Sequence, residues 1–305
     1  SIGPIEAAAA ALDWASIGDV RAEDVSGWLA EEAKRRELSP RTRNAHAMAI
    51  KAFGRWLHRH GRLAADPLAS LGRVRETTDR RRQRRALTAD ECARLIASAS
   101  AGEAVTFRRR GQRHTITGPS RALFYRLLLG TGLRVGEAAS LTVASFDLDA
   151  ADGPVVAVEA AHSKRRREDV LPIPDDLREP LRRFLAVREN EAGRKAAAWT
   201  LPTNPAARLL YPDLAAAGIP RVDASGRVID AHGLRHTFVT RLGTSGVPLV
   251  VAQRLARHST PTLTANVYTH IGIADARAAL RQAMATPEPP EAERAIALAA
   301  GTDDA

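Results

Sequence analysis

The spacing of apolar residues predicts that the N-terminal part of the chain is helical. Residues 39–61 begin with Ser39 and Pro40, an N-cap residue followed by a first-turn proline, and reach Gly61, a residue type that ends helices. Between them apolar side chains recur every three or four positions, the period of one helix face. We expect this face to be buried; it comprises Ala45, Met48, Ala49, Ala52, Phe53, Trp56 and Leu57. Residues 23–36 predict a second helix of the same small bundle.

The apolar period stops at residues 72–85, a stretch rich in arginine, which therefore indicates a basic interdomain linker. Thr88 and Glu91 then stand in the spacing of a capping box, so a second domain begins near Ala86. The predicted boundaries are a helical domain over 1–72, the linker over 73–85, a second domain over 86–286 and a C-terminal tail over 287–305.

The second domain has mixed patterns. Residues 104–118 alternate apolar and polar side chains around Gly111, which favours a basic hairpin, and residues 155–174 contain two short apolar runs on either side of a charged turn. Residues 120–132 predict a mostly apolar helix that is stopped by Gly130 and Gly132. The expected fold class is mainly α with small β pieces, α+β.

Charge narrows the class of partner. The 305-residue chain carries a formal net charge of +10 and a pI of about 10.7, and nearly all of the excess is arginine. A basic chain of this kind most often binds a polyanion, so nucleic acid is the first expectation; the alternative is an arginine-rich source composition. The single cysteine, Cys92, excludes an internal disulfide and a cysteine-based zinc site. There is no apolar run of membrane-spanning length and no signal-peptide pattern, so we expect no membrane partner and a cytoplasmic location.

A short segment, residues 231–242, concentrates possible chemistry. His232 and His236 stand four residues apart, a spacing that could chelate zinc, but Gly233 occupies the place of the glutamate in the zinc-protease motif. No carboxylate or cysteine within this segment completes a metal site, and no phosphate-binding Gly-Lys loop is present elsewhere. We therefore expect neither a metal ion nor another cofactor.

Other fragments change the interpretation of this segment. Arg134 follows the glycines at 130 and 132, Lys164 lies in the turn between the two predicted strands, and Tyr268 follows His258 by ten residues. Together with His232 and Arg235, and in this order, they resemble the catalytic domain of the tyrosine recombinase (phage-type integrase) family over roughly residues 86–285. Residues 1–72 are similar to the family's helical core-binding domain. The chain differs from many relatives in having Arg257, rather than glycine, before the late histidine.

The resemblance implies a site-specific recombinase or integrase, of the kind found in mobile genetic elements, that breaks and rejoins DNA through a 3′-phosphotyrosyl intermediate without metal or ATP. Tyr268 would be the nucleophile, Arg134 and Arg235 would hold the non-bridging phosphate oxygens, and Lys164 would protonate the leaving 5′ oxygen. His232 would act as base and His258 would bind a non-bridging oxygen. We expect structural roles for His236 and His270.

The implied partners are double-stranded DNA and further copies of the chain. Arg41, Arg43, Lys51 and Arg165 are candidate DNA contacts. The free protein is expected to be a monomer that forms a homo-tetramer in the synaptic complex, with the tail packing on a neighbouring protomer. Two alternatives stay open: DNA relaxation like that of a type IB topoisomerase, and a DNA-binding regulator with a decayed active site.

Overall fold

The computed structural model describes residues 2–76, 83–163 and 166–268 together with residues 277 and 281, except for the side chains of 266–268. The chain divides into two compact units between Gln83 and Arg84. Within the predicted linker, residues 77–82 lie outside the described residues, whereas Arg85 already binds inside the second unit. Its guanidinium donates to both carboxylate oxygens of Glu91, at 2.7 and 2.9 Å.

In the described part of the first unit, three α-helices pack against one another: α1 (Gly3–Ala11), α2 (Ala22–Arg35) and α3 (Pro40–Arg59). Ser39 caps α3 as predicted, because its hydroxyl accepts a hydrogen bond from the Thr42 amide. The core of this unit contains Ala8, Val20, Val25, Leu29, Ala47, Ile50, Leu68 and Leu71.

The predicted buried face of α3 was largely wrong. The buried residues are Asn44, Ala47, Ile50, Gly54 and Leu57, so only Leu57 of the predicted face is buried. Met48 and Trp56 are 37% and 47% exposed. The helical period was correct, but the core-facing side is shifted from the predicted one, so that Phe53 packs only partly buried against the core.

Two contacts with the segment after α3 explain this choice of face. The Asn44 amide donates to the carbonyl of Val74 at 2.8 Å and accepts from its N–H at 2.9 Å, which satisfies a buried polar side chain. Gly54 lets Leu68 approach closely, since a Cβ on that glycine would lie 3.0 Å from the Leu68 Cβ. A polar residue and a glycine thus belong to the core-facing side.

The second unit contains eight helices and five short strands among its described residues, which confirms the predicted α+β class with small β pieces. The helices are α4 (Ala89–Ala101), α5 (Gly118–Thr131), α6 (Val135–Ala138), α7 (Arg178–Ala192), α8 (Tyr211–Ala216), α9 (Ala231–Thr244), α10 (Leu249–Ala256) and α11 (Pro261–Tyr268). The strands are β1 (Val105–Arg109), β2 (Gln112–Ile116), β3 (Phe146–Asp147), β4 (Val155–Val158) and β5 (Asp169–Pro172). Strands β1 and β2 form the predicted hairpin, and β3–β4–β5 form an antiparallel sheet.

Helix α5 is a largely buried element of this unit. It is mostly apolar, it is buried along most of its length, and it packs against α4 and α9. Gly132 ends it in a left-handed conformation with φ of +63°, which glycine adopts without strain. Gly130, the other predicted stop, lies inside the helix instead, where a Cβ would come within 2.8 Å of Pro174. That glycine serves close packing rather than termination.

No helix in the described part of the chain combines the length and the apolar character needed to cross a membrane.

Candidate active site

The end of α5 and the start of α6 position Arg134. Arg134 is the N-cap of α6, and Glu137 three residues later accepts from its backbone N–H at 2.9 Å and from its Nη1 at 2.7 Å. The Arg134 side chain is 28% exposed, whereas that of Glu137 is only 3% exposed. A buried carboxylate therefore holds a guanidinium whose surface stays partly open.

Helix α9 supplies His232 and Arg235. Asp230 caps this helix, because its carboxylate accepts from the Gly233 N–H at 2.9 Å, and it also binds Arg84 Nε at 2.9 Å. The Arg235 side chain is buried and donates through Nη1 to the carbonyl oxygen of Gly132, at the end of α5, with a distance of 2.5 Å.

The other end of the Arg235 guanidinium donates to the carbonyl oxygen of Ala256, the last residue of α10. Carbonyls at helix C-termini lack partners within their own helix and carry partial negative charge. Arg235 therefore joins two helix ends, and its positive charge has a backbone partner on each side but no carboxylate among the described residues.

The turn after α10 presents His258. Its backbone N–H donates to the carbonyl of Gln253 at 3.1 Å, and its ring Nδ1 lies 2.9 Å from the hydroxyl of Thr264, a fully buried residue of α11. Helix α11 packs against both α9 and α10. It ends at Tyr268, so the main chain of the predicted nucleophile belongs to a helix that contacts the elements carrying His232, Arg235 and His258.

The charges of Arg134 and its neighbours influence three of the predicted residues, His232, Arg235 and His258. Burial, followed by Arg235, Arg134 and His232, lowers the pKa of His258 to about 4. Desolvation and the charges of Arg84, Arg235 and Arg134 lower the pKa of His232, although the residue is exposed at the surface. Burial, Arg134 and Arg257 lower the pKa of Arg235 to about 9, so this guanidinium stays cationic at neutral pH. Arg134, His232, Arg235 and His258 thus lie within electrostatic reach of each other.

Several predicted residues lie outside the described part of the chain. These are Lys164, Arg165, His270 and the side chain of Tyr268, together with the tail at 287–305. The two predicted strands on either side of Lys164 are described as β4 and β5, and they pair with Val158 opposite Asp169. His236 is half-buried in α9.

The candidate DNA contacts of the first unit differ in environment. Arg41 is exposed at the start of α3. Arg43 is half-buried, and its Nη1 is buried without a hydrogen-bond partner among the described residues. The Lys51 ammonium donates to the carbonyl oxygens of Ala69, at 2.5 Å, and Leu71, at 3.0 Å, and thereby holds the segment that follows α3.

Sequence reasoning missed three residues that build the site: Glu137, Arg257 and Asp169. Glu137 follows Arg134 at the spacing of a capping box, a signal that could have identified it. Arg257 was noticed only as a departure, and nothing in its neighbours predicts a guanidinium that is 3% exposed and 2.6 Å from Glu137. Asp169 was part of a charged turn but is buried and lies 3.6 Å from Arg257.

Among the residues that the structure describes, no three histidine, cysteine, aspartate or glutamate side chains are grouped so that they could hold a metal ion. The site is instead built from guanidiniums, imidazoles and one carboxylate that binds two arginines. Such a set of donors is suited to an anion with several oxygens, because guanidiniums bind phosphate oxygens through paired hydrogen bonds.

Comparison with known proteins identifies the family of this chain. Residues 85–273 match the model of the phage integrase family. The chain is 28% identical over 264 residues to tyrosine recombinase XerD of Caulobacter vibrioides, an alignment that covers 83% of this chain and 78% of the relative. It is 30% identical over 270 residues to tyrosine recombinase XerC of Mycobacterium bovis, with 82% and 79% covered.

A solved structure shows the same fold. The XerH site-specific recombinase bound to difH substrate, in a pre-cleavage complex, aligns with a TM-score of 0.63 at 15% identity and covers 89% of this chain and 74% of the other. The family match spans more than half of the chain, and the curated relatives align across both units. The chain therefore belongs to the phage integrase family and is a site-specific tyrosine recombinase, an enzyme that breaks and rejoins DNA.

Proposed function

We propose that Arg134, Arg235, His232 and His258 surround one scissile phosphodiester and that Tyr268 attacks its phosphorus. The observation that carries this proposal is the cluster of positive charge around Arg134: desolvation, together with the Arg134 guanidinium, disfavours the charged forms of His232, Arg235 and His258. Uncompensated positive charge at a partly open site is relieved by an anion. A phosphate is the anion that a DNA-breaking enzyme must bind.

In this scheme the two arginines act through charge. Attack on a phosphodiester increases negative charge on the non-bridging oxygens, and fixed guanidiniums stabilise that charge in the transition state. Arg134 is held by Glu137 and Arg235 by two helix-end carbonyls, so neither has to be reoriented during the reaction. Removing one such group would lower the rate on the order of 10² to 10³-fold, by analogy with single oxyanion donors.

The histidines act in their neutral forms. A tyrosine hydroxyl has an ordinary pKa near 10, so its attack needs a base. His232, with a lowered pKa, is uncharged at neutral pH and can accept the phenol proton while the Tyr268 oxygen bonds to phosphorus. The bond from phosphorus to the 5′ oxygen breaks, and Lys164 supplies the proton to that oxygen. His258 donates a hydrogen bond to a non-bridging oxygen. The product is a 3′-phosphotyrosyl bond, which retains the energy needed for rejoining.

Covalent trapping tests this assignment. Duplexes with a randomised core and a nick beside it would be incubated with the protein, and strands that stay attached under denaturing conditions would be sequenced to find the cleaved site. The wild-type protein is expected to form this adduct, and Tyr268→Phe is expected to form none. Equal adduct from both proteins would show that Tyr268 is not the nucleophile.

The chain contains a matched control. It has three tyrosines, and Tyr211 is half-buried beneath the Arg221 guanidinium, 5.0 Å from the ring centroid. Tyr211→Phe should therefore leave adduct formation unchanged. Tyr125 is unsuitable as a control because its hydroxyl is buried and donates to Asp213 at 2.8 Å.

We further propose that strand exchange takes place in a homo-tetramer on DNA, assembled from free monomers, and that the tail at 287–305 packs on a neighbouring protomer. Truncation after Thr286 should weaken the association of two DNA sites while leaving binding to one site unchanged. Light scattering of protein–DNA mixtures measures both steps. An unchanged tetramer fraction in the truncated protein would contradict the role of the tail.

DNA binding by the first unit is proposed to use Arg41 and Arg43, and Arg165 is proposed to contact phosphate beside the Lys164 turn. Lys51 is a weaker candidate because its ammonium already donates to two backbone carbonyls. Contacts of this kind are sequence-independent and position the protein on the duplex.

A further inference from the structure

The turn at the end of α10 contains a residue in an unusual conformation. Arg257 has φ of +52°, in the left-handed region, and the following N–H, that of His258, donates to the carbonyl of Gln253 at 3.1 Å. This turn normally takes glycine, because a residue with a Cβ is strained there. The backbone alone therefore does not explain an arginine at this position, and the reason must lie in the side chain.

The Arg257 side chain connects two other elements. It is 3% exposed, its Nη2 donates to Glu137 Oε2 of α6 at 2.6 Å, and its Nη1 lies 3.6 Å from Asp169 Oδ2 at the start of β5. Both carboxylates are themselves buried. A single guanidinium thus links the ends of three segments, α6, β5 and α10.

Through Glu137, Arg257 is connected to Arg134, a proposed catalytic residue. Glu137 uses Oε1 to bind the Arg134 guanidinium, while its Oε2 accepts from Arg257 and from the Arg134 backbone N–H. The Arg257 charge and hydrogen bond help to keep this buried carboxylate ionised, and they lower its pKa together with the bonds from Arg134. The orientation of Arg134 therefore depends on a carboxylate that Arg257 holds from the other side.

The contact of Arg257 with Asp169 lies close in the sequence to a second proposed catalytic residue, Lys164. Asp169 Oδ2 accepts a hydrogen bond from the Ser163 hydroxyl at 3.1 Å, and Ser163 directly precedes Lys164. Asp169 is also the first residue of β5, the strand that follows the segment containing Lys164. Arg257 thus contacts Asp169 as well as Glu137, the carboxylate that binds Arg134. Its own main chain continues into His258.

Stability alone does not account for Arg257. Besides its strained backbone, its Nε and Nη1 are buried without a hydrogen-bond partner among the described residues. Unsatisfied buried donors are costly, and replacing a buried ion pair by apolar groups is often neutral or stabilising. The strained backbone and the unsatisfied donors of Arg257 are costs to stability. We explain them by the contacts of its guanidinium with Glu137 and Asp169, which hold neighbouring parts of the site in place.

We propose that Arg257 is a positioning residue for DNA cleavage, which fixes Arg134 through Glu137 and His258 through the turn that it forms, and which also contacts Asp169, the partner of Ser163. It does not contact the phosphate itself. This inference depends on the proposed roles of Arg134 and His258.

The test uses Arg257→Gly, because glycine relieves the left-handed turn and removes only the guanidinium and its stem. A residue that merely fills a helix end would be improved or unaffected by this change. We expect non-covalent affinity for the cleavable site within about twofold of wild type, and a saturating rate of adduct formation lower on the order of 10 to 10²-fold, the loss typical of a misplaced catalytic group. Arg257→Lys keeps the positive charge but lacks the planar guanidinium that reaches both carboxylates. Its rate of adduct formation should lie between those of wild type and Arg257→Gly.

A double-mutant cycle tests the route through Glu137. If Arg257 acts largely through that carboxylate, Glu137→Gln combined with Arg257→Gly should lower the rate by much less than the product of the two single effects. Independent, multiplicative losses would overturn this part of the proposal.

The outcomes separate this inference from the proposed function. Absence of adduct from wild-type protein would contradict the proposed function, whereas wild-type adduct together with an undiminished rate for a folded Arg257→Gly would overturn only the role of Arg257. Melting curves establish folding. Should Arg257→Gly not fold, Arg257→Lys is judged instead, and a rate equal to wild type would equally refute the proposal.

Discussion

Gly132 both ends helix α5 and binds Arg235 of the candidate site. Gly132→Ala should therefore lower the stability of the protein and its rate of adduct formation. This glycine ends α5 with φ of +63°, and its carbonyl accepts from Arg235. A Cβ at this position would lie 2.3 Å from Cδ1 and 2.7 Å from Cε1 of Phe238, a buried residue three positions after Arg235 on α9. The methyl group therefore forces either the phenyl ring or the whole of α9 to move.

The expected magnitude follows from two costs. A residue with a Cβ loses about 1 to 2 kcal/mol in the left-handed conformation, and overpacking of a filled core costs about 1 to 3 kcal/mol. The free energy of unfolding should fall by roughly 2 to 5 kcal/mol, which for a unit of this size corresponds to a decrease in Tm of roughly 5 to 15 °C. Movement of α9 also displaces Arg235, so adduct formation should decrease on the order of 10 to 10²-fold.

Gly136→Ala is the matched control for this prediction. It makes the same change four positions later, where a Cβ would meet nothing within 4 Å. Thermal melting and adduct trapping would be measured for both variants alongside wild type. If Gly132→Ala melts at the same temperature as Gly136→Ala and forms adduct equally fast, the reasoning from the close approach of Phe238 is refuted.

Three further predictions concern pH, stability and salt. The kcat/KM of adduct formation should stay level as the pH decreases from about 8 to 6.5 and decline only below that, because the pKa of His232 lies below its ordinary 6.5 and the neutral ring is the active form; a decline that is complete by about pH 6.5 would contradict this assignment. Asp213→Ala should lower the free energy of unfolding, measured in urea, by about 3 to 5 kcal/mol, since it leaves the buried Arg121 without its carboxylate partner at 3.0 Å; a loss below about 1 kcal/mol would show that the pair matters little. Arg41→Ala should reduce the slope of log affinity against log salt by about 1 if that side chain contacts a phosphate, and an unchanged slope would exclude the contact.

Local signals in the sequence predicted most elements of the second unit. Thr88 and Glu91 form the expected capping box, with bonds of 3.1 and 2.9 Å, and the alternation around Gly111 correctly predicted the β1–β2 hairpin. These patterns are read correctly because a cap or a tight turn depends on residues only a few positions apart.

Features that depend on distant partners were not predictable in the same way. The buried face of α3 is determined by Leu68 and Val74, which lie in a segment without a regular pattern, so helical periodicity left the choice of face open. The burial of Arg257 follows from two carboxylates that are 120 and 88 positions away in the chain, a separation that no local motif encodes. Part of the candidate site could nevertheless be predicted, because its residues occur in the same order along the chain as the catalytic motifs of one family.

The distribution of charge explains why a candidate site rich in guanidiniums contains a buried carboxylate. Three guanidiniums close together would repel one another, and Glu137 offsets this repulsion for Arg134 and Arg257, to which it is bound. Arg235 is different, because its described partners are neutral carbonyl oxygens that orient the group without cancelling its charge. Both neighbouring imidazoles are also uncharged at neutral pH, given the lowered pKa values of His232 and His258. The carboxylate therefore fixes geometry on the side of Arg134 and Arg257, while at Arg235 its charge offsets burial and the neighbouring guanidiniums only in part. The phosphate proposed to bind beside Arg235 would supply further negative charge there.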